Sequence, residues 1–143
     1  MTDVTRLVAE GRCGVHWMEA PAEVAEARRA AKGAGLDFAR IDGARVASKR
    51  AFLSAAARAL EFPPGLGRNW DALEDTLRDL SWRTGRGTVI AWSPVDPLAD
   101  ADRESFLVAR DVLADAAAWW GERGRPLVVL LGGTARDARR GAP

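Results

Sequence analysis

Cysteine and histidine are almost missing from this chain, with one of each, Cys13 and His16, in 143 residues. A lone cysteine excludes an intrachain disulfide framework and suits a reducing cytosol. One thiol and one imidazole leave nothing from which to assemble a zinc or copper centre, so no metal and no cofactor is expected. Tyrosine is absent altogether. No apolar run approaches the roughly 20 residues of a membrane span, and no signal-peptide core follows Thr2, Asp3 and Arg6. The expectation is a cytoplasmic protein with no membrane partner. An excess of one charge is lacking too: 21 basic and 20 acidic residues leave +1, a total that points to neither nucleic acid nor a basic partner.

What is present fits one globular domain, 1–143, with 48% hydrophobic and 29% charged residues. The charge is unevenly placed. Residues 1–40 balance six acids with six bases, whereas residues 61–115 carry eleven acids against six bases, a net of −5. After Gly133, Arg136, Arg139 and Arg140 face only Asp137, which reads as a mobile basic tail over 134–143. The acidity therefore concentrates mid-chain, where a charge-complementary partner can find it.

Periodicity alternates between strand and helix. Strands are expected at Gly14 to Met18, Leu36 to Ile41, Thr88 to Trp92 and Pro126 to Leu131. Helices are expected from Ala22 to Lys32, from the Ser48 cap to Leu60, from Trp70 to Leu80, and from Asp102 to Trp120. Pro94 and Pro97 mark a loop. The order β-α-β-α-α-β-α-β implies an α/β fold, a small mostly parallel sheet packed with helices. Of the tryptophans, Trp17, Trp82, Trp92 and Trp120 stand where packing is expected. Trp119 and Trp120 cannot both face inward, which leaves one for the surface.

The informative stretch runs from Glu61 to Trp82. Phe62, Pro63, Pro64, Gly65, Leu66 and Gly67 form a shaped loop, because two prolines and two glycines exclude helix. Asn69 then caps a helix whose core face is Trp70, Leu73, Leu77 and Leu80. Asp71, Glu74, Asp75, Arg78 and Asp79 fall opposite. Asp71, Asp75 and Asp79 are spaced four apart, and like charges so placed cost a helix about 0.2–0.5 kcal/mol per pair. Asp71 is favoured by the helix dipole in the first turn, and Glu74 with Arg78 gives one helpful pair. Asp75 and Asp79 have no such local reason. A solvated helix face explains them, and so does an acidic knob offered to a cationic cleft.

This stretch resembles the signature of the barstar family, intracellular inhibitors of secreted guanyl-specific bacterial ribonucleases. The matching elements are Phe62-Pro63, Gly67, then Asn69-Trp70-Asp71-Ala72-Leu73 followed by Asp75 and Leu77. The similarity extends from Arg40-Ile41-Asp42-Gly43 to Val128-Val129-Leu130-Leu131, giving a barstar-like core over 40–133. Residues 1–39 resemble the strand-helix extension of longer members, so three core strands plus one N-terminal strand are expected. The resemblance implies one-to-one inhibition of a barnase-like ribonuclease, with no enzyme activity of its own. Asp75 would replace the substrate phosphate among catalytic arginine and histidine side chains, with Asp71 a second acidic contact. Gly67, Asn69 and Trp70 match loop and helix-start interface positions, and Gly65, Leu66, Glu74, Arg78 and Asp79 surround them. Three departures stand out: Gly65 and Leu66 replace aromatics before the loop glycine, Glu74 precedes the key aspartate, and Trp119 stands where a glutamate is used. Fewer aromatic anchors mean either a different target or an affinity that leans on charge.

Other readings come from other classes. Asp71 with Asp75 could serve a small α/β hydrolase if they lined a cleft. Leu131-Gly132-Gly133-Thr134 could serve a nucleotide-binding domain if a helix N-terminus stood behind it. Immunity to a toxin other than a ribonuclease is a further alternative. His16 and Cys13 read as residues of an apolar strand and its neighbourhood rather than as catalysts.

Overall fold

The computed structural model describes residues 3–65 and 68–134. Helix α1 (Val4–Ala9) precedes strand β1 (Gly14–Trp17), helix α2 (Glu23–Ala34) and strand β2 (Asp37–Asp42). Helices α3 (Lys49–Ala59) and α4 (Trp70–Leu77) follow, then β3 (Thr88–Ser93), α5 (Asp96–Ala101), α6 (Arg103–Gly121) and β4 (Leu127–Leu131). The strands form one all-parallel sheet in the order β1-β4-β3-β2. The α/β expectation holds, with an N-terminal strand added at the sheet edge beside β4.

Both faces of the sheet are covered, which is why β3 and β4 read as unbroken apolar runs. On one face Ala39, Ile41, Ile90, Trp92, Val129 and Leu131 meet α3, α4 and α6. On the other, Val89, Ala91, Val128 and Leu130 meet α1 and α2. The N-terminal segment thus supplies a core of its own to the second face, burying Val4, Val8, Val24, Ala27 and Ala31.

Several expectations need correction. Helix α4 ends at Leu77 rather than Leu80, because the chain turns through Arg78 and Leu80 takes φ +49°. Helix α2 runs through Gly33 to Ala34 and stops at Gly35, whose left-handed φ of +74° glycine alone adopts at no cost. Helix α1 was not foreseen, being only six residues capped by Asp3. Neither was α5, since Pro97 lies in its first turn, where proline lacks no needed donor. Trp92 is fully buried, but Trp17, Trp82, Trp119 and Trp120 are only half-buried. The expected tail at 134–143 begins with Thr134, which is tied to Asp96, and 135–143 lie outside the described residues.

Candidate functional site

The Ser48 hydroxyl accepts a hydrogen bond from the Ala51 amide and starts α3, whose Phe52, Leu53 and Ala56 are buried. The helix cannot continue past Leu60, since Glu61 has φ +56° and two prolines follow. The loop that results is pinned from below. Trp82 Nε1 donates to the Leu60 carbonyl at 2.9 Å, and the Phe62 ring packs edge-on against Trp82. Arg83, almost wholly buried, reaches Glu61 at 3.0 Å and Asp37 at 3.7 Å, linking the loop to the start of β2. Gly65 has φ +92° and open space around it, so it is exposed at the loop's outer side. Leu66 and Gly67, both expected at the site, lie outside the described residues.

Asn69 restarts the helix as expected, its Oδ1 accepting from the Ala72 amide at 2.8 Å. Trp70 occupies the first helical position and is half-buried against Phe52, ring centroids 6.1 Å apart. Lys49 Nζ lies over the Trp70 ring, 5.4 Å from its centre. Leu73 and Leu77 seal the helix to the core, and Thr76 Oγ1 donates to the Ala72 carbonyl. At the far end Trp120 Nε1 donates to the Leu77 carbonyl at 2.7 Å. The helix is therefore held at its start, its middle and its end.

Its outer face carries Asp71 and Asp75, both exposed and one turn apart. Glu74 is half-exposed and paired with Arg78 at 2.9 Å, so its charge is locally balanced. Asp79 is exposed but lies in the turn after the helix, so the expected edge of three stacked carboxylates is reduced to two. A groove of about 530 Å³ runs beside the helix, lined by Leu53, Arg58, Phe62, Pro64, Arg68 and Asn69 among others. Neither Asp71 nor Asp75 lines it. The two carboxylates thus stand outside this groove, exposed on the outer face of the helix.

The glycine pair after β4 does not cradle a phosphate either. The Thr134 amide and hydroxyl both donate to the Asp96 carboxylate, at 2.8 and 3.1 Å, so the protein's own anion takes those donors. His16 Nε2 bonds the Arg12 carbonyl at 2.9 Å, and no group of metal-ligating side chains gathers among the described residues. No helix among them is long and apolar enough to cross a membrane. Arg83, Lys49 and Trp120 were not foreseen as supports of the site. Their partners lie 21 to 46 residues away in sequence, beyond any local spacing rule.

A search of the curated proteins finds no match. The family model described as Barstar (barnase inhibitor) matches residues 36–132, from the residue before β2 to the residue after β4. That span contains α3, the loop, α4 and three of the four strands, and it exceeds half of the chain, so this protein belongs to the barstar family.

Proposed function

We propose that this protein inhibits a secreted guanyl-specific ribonuclease by covering its active site with α4 and the preceding loop. The family is one of inhibitors of a barnase-type enzyme. The observation that carries the reading is the pair of exposed carboxylates, Asp71 and Asp75, on a helix held against the core by Trp70 at its start and by Trp120 at its end. A ribonuclease must bind phosphate and so presents a cationic cleft. A carboxylate projecting from a rigid support fits such a cleft, since its two oxygens match a guanidinium bidentately. Asp75 is assigned as the phosphate mimic and Asp71 as the second acidic contact, flanked by Asn69, Trp70 and the loop around Gly65. In this reading the complex is one-to-one, the chain is a single domain with 1–39 as an extension of the core, and it acts in the cytoplasm of the producing cell. The protein performs no chemistry of its own.

The test is titration of purified guanyl-specific microbial ribonucleases with the protein. Stoichiometric loss of nuclease activity for at least one of them is expected. No inhibition across the panel would overturn the ribonuclease assignment and direct attention to another class of toxin.

A further inference from the structure

A second cavity, about 470 Å³, opens at the carboxyl ends of the strands. It is remote from α4 in the fold: its Met18 and Val24 belong to the core under α1 and α2, whereas Leu73 and Leu77 belong to the opposite face. Residues following three strands, Met18 after β1, Pro94 after β3 and Gly132 after β4, meet here with Arg40 of β2. Ends of parallel strands are where α/β proteins place small ligands, because the departing loops leave a crevice.

Arg40 is the unexplained group. It projects from β2 on the α2 face, opposite to its neighbours Ala39 and Ile41, and is half-buried. Its Nη2 donates to the Ser93 carbonyl at 2.9 Å and lies 3.4 Å from the Ser93 hydroxyl. Its Nε is buried with no acceptor. No carboxylate among the described residues lies within ion-pair distance of this guanidinium. A charge taken partly out of water is costly unless a counter-charge joins it. The rest of the cavity is mostly apolar, with Met18, Pro21, Val24 and Pro94 as walls.

We propose that this cavity binds a small monocarboxylic acid, its carboxylate on Arg40 and its apolar body against Met18, Pro21 and Val24. The walls are apolar and the Thr134 donors are already taken by Asp96, which favours a single carboxylate over a phosphate. The volume is in the range of small-molecule sites.

The experiment is amide NMR titration of the full chain with benzoate, and in parallel with inorganic phosphate. Saturable shifts at Met18, Ser93, Gly132 and Gly133 are expected with benzoate and not with phosphate. Arg40→Gln should weaken benzoate binding by about tenfold or more, the loss of one charge-assisted hydrogen bond. Ala20→Phe, at an exposed rim position, should obstruct the cavity without touching the core. Absence of saturable shifts with benzoate at millimolar concentration overturns the proposal. So does binding of phosphate alone, or benzoate binding unchanged in both variants. Ribonuclease inhibition is read separately, and its outcome does not bear on this site.

Discussion

The indole Nε1 of Trp120, on α6, donates a 2.7 Å hydrogen bond to the carbonyl of Leu77, the last residue of α4. The final carbonyls of a helix have no partner within it, and here a side chain from another helix supplies one. The same bond fixes the end of the acidic helix against the core. Trp120→Phe keeps an aromatic body and removes the donor. It should lower the unfolding free energy by about 1 kcal/mol, measured by denaturant titration. Amide hydrogen exchange should accelerate at Arg78, Asp79 and Leu80 more than at Ala72 and Leu73. Equal acceleration along the whole helix would mean that the bond supports general packing rather than the helix end.

Asp75 is assigned the central place in the interface, so its truncation should cost most. Asp75→Ala is expected to weaken inhibition by at least 2 kcal/mol, about thirtyfold, the range of interface hot spots. Asp71→Ala should cost less, and Asp79→Ala least, since Asp79 lies beyond the helix. Stability should move the other way: removing one of two like charges a turn apart relieves about 0.2–0.5 kcal/mol. A variant that loses inhibition while holding or gaining stability separates contact from folding. Association should also slow as salt rises, because exposed charges are screened beyond about 10 Å at 0.1 M. A larger loss for Asp79→Ala than for Asp75→Ala would displace the assignment.

The alternation of strands and helices was legible because β3 and β4 are short apolar runs, and α3, α4 and α6 open on polar caps, Ser48, Asn69 and Asp102. The acidic helix was legible from Asn69-Trp70-Asp71 for the same reason. Its end was not. Leu80 is apolar and falls on the core stripe of a continuing helix, yet it reaches the core through a left-handed turn instead. Tertiary burial satisfied the pattern without the helix. The short α1 and α5 were hidden because six residues carry too little periodicity, and Pro97 read as a breaker when it stands in a first turn. Arg40 looked like a polar residue of an alternating strand, and only the fold reveals that no carboxylate among the described residues meets it.

The cap of α6 provides a pH dependence of known sign. Asp102 accepts the Ser105 hydroxyl at 2.7 Å and the Ser105 amide at 3.1 Å. These two bonds hold its carboxyl below the ordinary carboxylate range, the hydroxyl contributing more than the amide. A folded value lower than the unfolded one means stability that is present above the unfolded pKa and is lost as pH falls through the folded pKa. The melting temperatures of the wild type and Asp102→Ala should therefore differ most at neutral pH and converge in acid. Asp102→Asn, which can cap without charge, should show a flatter difference. A gap that stays constant down to acid pH would assign the effect to helix propensity instead.

Two glycines separate close approach from chain freedom. A Cβ on Gly43 would run into the carbonyl oxygen of Pro94 and come within 2.9 Å of Trp92 Nε1. The first of these is backbone, held where β3 ends, and Trp92 is fully buried, so neither can give way cheaply. Gly43→Ala should destabilise the fold by about 1–3 kcal/mol, the cost of overpacking a closed site. Gly33 lies in α2 with nothing within 4 Å of a notional Cβ, so Gly33→Ala should stabilise by about 0.5 kcal/mol through a stiffer unfolded chain. Denaturant midpoints of the two variants should move in opposite directions. If both fell, the freedom of α2 near its end, rather than space, would be what Gly33 supplies.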